Sequence, residues 1–154
     1  MTQDKIKVYL KQLVGTTLHD VRLACEMIVL DFGKFGVHTQ CFTRIIEANK
    51  ILLTTLDYQS WDGVDDQNND EWYNLAQYKS RIVNNKVTAV ELTELNDLLI
   101  WLENNIHIQA FILNGPAHYC EDEDDEQWRL IIDGEKENEN IHIVINRKTV
   151  DFLT

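Results

Sequence analysis

Two kinds of hydrophobic pattern alternate along the chain. Near the start, apolar residues recur at helical spacing after Thr2, which is well placed as a cap, and they predict a helix over residues 3–14 that ends at Gly15. A second helical stripe covers residues 70–83. Elsewhere apolar and polar residues alternate with a period of two, which is typical of β-strands with one buried face.

The alternating segments are short, rich in β-branched and aromatic residues, and separated by turn residues. In the first half they predict four strands, over 18–23, 27–32, 37–45 and 50–56. In the second half they predict five, over 87–92, 98–103, 106–113, 127–133 and 141–146. Gly33 and Gly36 are both expected at positive φ in the clearest turn. The predicted fold class is α+β: a mainly antiparallel β-sheet with two helices packed on it.

The two halves resemble one another at a fixed offset of 69 residues. Six residues of the first half match six of the second: Val21, Leu23, Leu30, His38, Gln40 and Phe42 match Val90, Leu92, Leu99, His107, Gln109 and Phe111. The matches predict duplicated meanders, with pseudo-repeats at 1–58 and 70–146 inside a single domain, 1–154. Shared strand composition is the alternative explanation. If the duplication is real, matched residues have matching environments, and each helix packs on the strands that follow it.

The composition is that of an ordinary globular domain, with 154 residues of which 44% are hydrophobic and 26% charged. The three cysteines form no CxxC pair, which favours reduced thiols over a disulfide framework. We find neither a signal peptide nor an apolar run long enough for a membrane span. These features predict a cytoplasmic protein.

Negative charge is concentrated in two segments of the chain, whose formal net charge is −12. The first segment holds five acids: Asp62, Asp65, Asp66, Asp70 and Glu71. The second is an unbroken run of six: Glu121, Asp122, Glu123, Asp124, Asp125 and Glu126. Without these eleven acids the net charge would be −1. Such a surface repels nucleic acid and anionic membranes and attracts basic proteins or metal ions.

Short motifs are spread over most of the chain. They are Leu13-Val14-Gly15, Arg22 to Met27, Phe32-Gly33, Val37 to Ile45, Leu56-Asp57-Tyr58, Asp97-Leu98 and Glu126 to Arg129. Together they resemble a family of small uncharacterised bacterial proteins with a leucine-valine-glycine motif, a meander, and a leucine-histidine-x-glutamine-x-x-tryptophan-arginine strand. Thr43 stands where that tryptophan is expected, and residues 64–69 look like a local elaboration. The resemblance implies no activity, so no site residue follows from it.

Three histidines occupy comparable positions in three predicted strands. Strand alternation places His38, His107 and His142 opposite the apolar positions, so all three could project the same way. Neighbouring strands lie about 4.8 Å apart, close enough for three imidazoles to bind a zinc ion. The competing interpretation is three solvent-facing strand positions. No phosphate-binding loop, nucleophile elbow or HExxH motif is present in the sequence, so we predict neither catalytic residues nor a cofactor.

Aromatic residues adjoin both acidic segments. Trp61 and Trp72 bracket the first, and Trp128 follows the second. Tryptophans are most often core residues, but aromatic anchors beside a charged rim are also typical of protein interfaces. We therefore predict a non-enzymatic module that binds a basic protein through Trp61, Trp72 and the acids, either as a monomer or as a weak homodimer.

The function predicted for such a module is that of an immunity or inhibitor protein, which neutralises a basic toxin such as a nuclease. One alternative is a metal-binding protein or metal-dependent enzyme that uses the three histidines. Another is a structural subunit of a homo-oligomer, in which an apolar stripe pairs with a second copy.

Overall fold

The computed structural model describes residues 3–24, 27–60, 70–113, 125–136, 139–147 and 149–154. Within these ranges the chain forms two α-helices, α1 (Gln3–Leu10) and α2 (Asp70–Ile82). The strands are β1 (Asp20–Ala24), β2 (Met27–Asp31), β3 (Phe35–Thr39), β4 (Phe42–Glu47), β5 (Lys50–Thr54), β6 (Val87–Leu92), β7 (Leu98–Leu102), β8 (Ile106–Phe111), β9 (Glu126–Ile132), β10 (Ile141–Asn146) and β11 (Val150–Leu153). The predicted α+β class is confirmed.

The strands form two sheets in which every neighbouring pair is antiparallel. The six-stranded sheet has the order β1-β2-β3-β9-β10-β11, and the five-stranded sheet has the order β5-β4-β8-β7-β6. Each sheet therefore contains one meander, β1 to β3 or β6 to β8, and is completed by strands from the other half of the chain.

The inner faces of the two sheets share one hydrophobic core. Val37 and Leu130 contribute from the six-stranded sheet, and Ile45 and Ile108 from the five-stranded sheet. Alternate residues of each strand point into this core, as the two-residue period predicts. The remaining positions form an outer face on each sheet.

The helices pack at the edges of the sheets. On α1, the Tyr9 ring lies 6.0 Å from the ring of Phe152 in β11, and the helix also contacts β6. On α2, the Lys79 ammonium lies 2.6 Å from an Asp20 carboxylate oxygen in β1, and the helix also contacts β5. This pairing lowers the pKa of Asp20. The prediction that each helix packs on the strands following it is wrong, because each helix covers edge strands from the other half of the chain.

The strand predicted over residues 37–45 is divided between the sheets. β3 ends at Thr39 in the six-stranded sheet, and β4 begins at Phe42 in the five-stranded sheet. At the crossing, the Gln127 carbonyl accepts hydrogen bonds from the backbone N–H groups of Gln40 and Cys41, at 2.8 and 2.9 Å.

The second crossing, from β8 to β9, is fixed by the same residue. The side-chain Oε1 of Gln127 accepts a hydrogen bond of 2.8 Å from the backbone N–H of Leu113, which follows β8. Next to it, Trp128 is fully buried and donates its ring N–H to the carbonyl of Asn96, at 2.9 Å, beside β7. The described ends of both crossings are therefore joined through β9.

The two halves have the same order of elements, but residues matched at the fixed offset of 69 do not all occupy equivalent positions. Leu30 is fully buried on the inner face, whereas Leu99 pairs with Gln109 on the outer face and is partly exposed. His38 and His107 agree with the expectation, since both are partly buried at outer positions. Turn lengths explain the mismatch, because the register leaves two residues between β1 and β2 but five between β6 and β7.

Local backbone predictions are mostly confirmed. Gly15 and Gly33 have φ values of 88° and 79°, as expected for a helix end and a tight turn. Gly36 was expected in the same turn, but it lies within β3 and pairs with Asp31. The short β11 was not predicted, since four residues give too little alternation to recognise. Neither of the described α-helices has the length and apolar character needed to cross a membrane.

We predict that Gln127→Ala destabilises the fold by about 1–3 kcal/mol, because the partly buried N–H of Leu113 loses its acceptor. Urea denaturation followed by tryptophan fluorescence measures this change. Gln40→Ala is the matched control, since that side chain is exposed and the substitution retains the backbone hydrogen bond. Equal unfolding midpoints for the two variants would show that the side chain of Gln127 does not hold the crossing.

Candidate functional site

The first acidic segment, residues 61–69 with the start of α2, leaves the described structure beside the first residues of β4. It follows a 3-10 turn, Thr55–Ser60, that comes directly after β5. The hydroxyl of Thr55 accepts a hydrogen bond of 3.2 Å from the backbone N–H of Thr43. The chain therefore enters this segment at the end of the five-stranded sheet where β4 begins.

The second acidic segment leaves from the same end of that sheet. Residues 114–124 follow Leu113, two residues after β8 ends at Phe111. Phe111 pairs with Phe42, the first residue of β4. The ends of both acidic segments that border the five-stranded sheet therefore lie near one another, although the segments are far apart in sequence.

Most residues predicted to bind a partner lie outside the described residues. These are Trp61, Asp62, Asp65, Asp66, Glu121, Asp122, Glu123 and Asp124. Asp70, Glu71 and Trp72 form the first turn of α2, and their side chains also lie outside the described part. Asp125 is described: it is partly exposed, and its carbonyl accepts a hydrogen bond of 3.0 Å from the backbone N–H of Arg147.

Glu126, the last acid of the second run, is paired within the chain. Its Oε1 accepts a hydrogen bond of 2.7 Å from Arg129 Nε, and its other oxygen accepts one from Arg129 Nη2. This bidentate pair raises the pKa of Arg129. Glu126 is therefore held by the six-stranded sheet, which distinguishes it from the solvated acid that the sequence suggested.

A cross-strand row lies on the outer face of the six-stranded sheet. The register places Val29, His38, Arg129 and Val144 side by side on four neighbouring strands. Both valines are buried even though they lie outside the core. Burial lowers the pKa of His38, and the positive charge of Arg129 lowers it further.

The three histidines do not form one metal site. His142 lies near Arg129, with its Nδ1 3.3 Å from Arg129 Nη1, on the same face as His38. His107 belongs to the other sheet, where its ring lies 6.0 Å from the ring of Trp101. Among the described residues, no group of three or more His, Cys, Asp or Glu side chains is placed to hold a metal ion. The alternative of a zinc site formed by the three histidines loses its geometric basis, because strand alternation assigns a face but not a sheet.

The outer face of the five-stranded sheet carries partly exposed apolar side chains that do not pack against the core. We call these the aromatic face: Phe42, Ile46, Leu99, Trp101 and Phe111. The rings of Phe42 and Phe111 stack with their centroids 6.4 Å apart. Beside them, Arg44 donates to Gln109 at 2.7 Å and lies 5.4 Å from the centre of the Phe111 ring.

Sequence reasoning missed the aromatic face as a surface. It identified Phe42 and Phe111 only as a repeat match and took tryptophans next to the acids as the anchors. The available signal was aromatic residues at alternating positions that an exposed sheet face normally fills with polar ones.

Cys41 is the one cysteine that lies within the described residues, and it is buried at the first crossing. Burial raises the pKa of its thiol to about 12, so it is protonated at neutral pH. The hydroxyl of Thr43 donates a hydrogen bond of 3.1 Å to the Cys41 carbonyl. Cys41 therefore serves as a small buried residue at the point where the chain passes from one sheet to the other.

No protein-family model matches the chain, and no curated protein or solved structure is significantly similar to it. The two features that stand out are the aromatic face and, at one end of the same sheet, the described chain ends that lead into the acidic segments. Any function proposed for the chain rests on these features and on its charge.

We predict that His38 makes stability fall as the pH is lowered through about 6.5, the ordinary value for histidine. Its pKa is lower in the folded protein, so acid protonates the unfolded chain first. The loss of stability should level off once the pH is below the pKa that His38 has in the folded protein. His38→Gln should flatten this part of the stability curve, measured by urea denaturation between about pH 5 and 8.

The control is His19→Gln, which changes an exposed histidine outside the row. This variant should retain the decrease in folding stability with falling pH that His38 causes in the wild-type protein. If the free energy of unfolding depends on pH in the same way for the His38 variant, the His19 variant and the wild-type protein, protonation of His38 does not cause the loss of stability.

We also predict that Cys41 resists alkylation in the native state. A Cys25→Ser/Cys120→Ser variant leaves Cys41 as the single thiol. Iodoacetamide should modify it slowly at pH 8 in buffer and fast in denaturant, because the native thiol is buried and protonated. Mass spectrometry measures the rate, and rapid native labelling would show that the crossing opens readily.

Proposed function

We propose that this chain is a non-enzymatic acidic module of the bacterial cytoplasm that binds a basic protein. Within that class, we propose an immunity or inhibitor protein that neutralises a basic toxin such as a nuclease. The observation that supports the proposal is that the described chain ends leading into two acid-rich segments lie at the same end of the five-stranded sheet. The segments contain eleven of the 26 acidic residues in the chain, of which Glu126 is paired with Arg129.

Clustered acids on a rigid framework favour a cationic partner for a physical reason. Two segments that start near one another add their fields, which steers an oppositely charged protein and speeds association. A nuclease binds its polyanionic substrate through a cationic surface. Carboxylates presented together are complementary to that same surface, so binding would also block access of the substrate.

Two observations bear on the alternative functions. The separation of His107 from His38 and His142 on different sheets removes the support for a three-histidine metal site. A homo-oligomer formed through the aromatic face would bring together two copies that each carry a net charge of −12, and their repulsion opposes this alternative.

We expect that neutralising the second segment weakens binding without unfolding the chain. The variant is Glu121→Gln, Asp122→Asn, Glu123→Gln and Asp124→Asn, and it retains the Glu126 pair with Arg129. Affinity for purified cationic ribonuclease and deoxyribonuclease toxin domains is measured by calorimetry at low and high salt, together with inhibition of cleavage. Wild type should bind and inhibit, whereas the variant should bind about tenfold or more weakly with a smaller salt dependence.

The matched control removes four charges from exposed positions outside the segments: Asp4→Asn, Asp133→Asn, Glu135→Gln and Glu139→Gln. Its affinity should remain near that of the wild type. Equal weakening in both variants would assign binding to net charge alone. Failure of the wild-type protein to bind or inhibit any cationic nuclease would overturn the proposed function.

A further inference from the structure

A glycine in the middle of β3 is not explained by the fold. Gly36 lies on the outer face of the six-stranded sheet, between Asp31 in β2 and Ile131 in β9. Its φ is not in the left-handed region, so the backbone would accept another residue there. A Cβ added to Gly36 would make ordinary contacts, 3.7 Å from Ile131 Cβ and 3.9 Å from His38 Nε2. A glycine inside a strand weakens it and often marks a place that a ligand approaches closely.

The described residues leave an open space above this glycine, which we call the Gly36 hollow. Its volume is about 210 Å³. Pockets for drug-sized ligands start at about 300 Å³, so this hollow suits a molecule about the size of an amino acid. Val29 and Ile131 line part of it, and the Nε2 atom of His38 faces it. Burial lowers the pKa of His38, so the imidazole is uncharged at neutral pH and repels neither kind of ion.

Two carboxylates border the Gly36 hollow. Asp31 and Asp133 both line it, and within the described ranges neither takes part in an ion pair. The Asp31 carboxylate is held in place, because its Oδ1 accepts a hydrogen bond of 2.7 Å from the backbone N–H of Gly33. Asp31 lies opposite Asp20 in β1, but the nearby Lys79 binds Asp20, at 2.6 Å. This side of the hollow therefore attracts a cationic group.

A guanidinium group borders the hollow on another side. Arg22 lines it with a side chain that is 60% exposed and contacts Asp20 through Nε at 3.5 Å. Its register partner is Val29, two residues before Asp31, which is a step of about 7 Å along the strand. A simple anion would meet two carboxylates in this hollow, and a simple cation would meet Arg22. A molecule with both charges is complementary to both sides.

We propose that the Gly36 hollow binds a small zwitterion whose cationic group and carboxylate lie at opposite ends, about 7 Å apart. Asp31 and Asp133 bind the ammonium or guanidinium end, and Arg22 binds the carboxylate. The methylene chain between them lies in the space above Gly36. ω-Amino acids and amino acids with a basic side chain belong to this class. The inference is independent of the proposed function, since no residue of the hollow belongs to the acidic segments.

The probe for the test is 6-aminohexanoate, in which a methylene chain separates the two charges. Calorimetry at neutral pH should show saturable binding to the wild-type protein. Three analogues change one feature each: 6-aminohexanamide lacks the carboxylate, hexanoate lacks the ammonium group, and norleucine has both charges on one carbon. Each should bind about tenfold or more weakly, because a charge-assisted contact is lost.

Substitutions on the two sides should affect different analogues. Asp31→Asn retains an acceptor for the Gly33 N–H, so it should weaken binding of 6-aminohexanoate about tenfold without weakening hexanoate. Arg22→Gln should weaken 6-aminohexanoate by a similar factor and leave 6-aminohexanamide unchanged. Glu135→Gln is the matched control, since it removes an exposed charge two residues after Asp133 without altering the lining, and it should bind like the wild type.

Filling the hollow distinguishes binding from folding. Gly36→Val places a side chain where the methylene chain would lie, so it should abolish binding of 6-aminohexanoate. Gly36→Ala adds a single methyl group and should weaken binding several-fold. The alanine variant should melt at the wild-type temperature or above it, because glycine weakens a strand relative to alanine. Thermal melting checks each variant, and the alanine variant retains the test if the valine variant does not fold.

Three results would overturn the inference. The first is an absence of saturable binding of 6-aminohexanoate to the wild type. The second is equally tight binding to the wild type and to the folded Gly36 variants, which would place the ligand elsewhere. The third is equally tight binding of 6-aminohexanamide, because the hollow would then bind a cation alone, such as a lysine side chain of another protein.

Discussion

The arrangement of the two sheets depends on the hydrogen bonds of Gln127. Where a chain passes from one sheet to the other, its backbone groups leave both ladders and need other partners. The carbonyl of Gln127 serves Gln40 and Cys41 at the first crossing, and its side chain serves Leu113 beside the second. Because this residue is buried, water cannot easily replace these bonds. One residue of β9 therefore holds the described ends of both crossings.

The two halves of the chain are structurally interdependent, because they exchange elements. Each meander obtains its neighbouring strands from the other half, and each helix covers edges that the other half provides. A half in isolation would leave one side of its sheet without a layer to pack against. The shared order of elements is consistent with duplication, and the unequal turns explain why a single sequence offset reveals only part of it.

Strand and helix positions were predictable because each depends on a local period, whereas the assignment of strands to sheets was not. Through Val37, Thr39, Cys41, Thr43 and Ile45 the inward alternation continues without a break, although the chain changes sheets at Gln40 and Cys41. Both sheets bury every second residue, so the period gives no sign of the crossing. For the same reason the single strand predicted over residues 37–45 gives no sign that His38 and Arg44 lie on different sheets. Similarly, the described chain ends that lead into the acidic segments lie near one another because of long-range pairing, such as that of Phe42 with Phe111, which no local pattern reports.

The outer faces of the two sheets differ in chemistry. The six-stranded sheet carries His38 and Arg129 between two buried valines, with Glu126 already neutralised by Arg129. The five-stranded sheet carries apolar rings next to the ends of the acidic segments. Charge acts over long distances and mainly sets the rate of encounter, whereas close apolar contact mainly sets the lifetime of a complex. If the proposed function is correct, negative charge alone would not distinguish one basic protein from another, so selectivity would require close contacts in addition to charge.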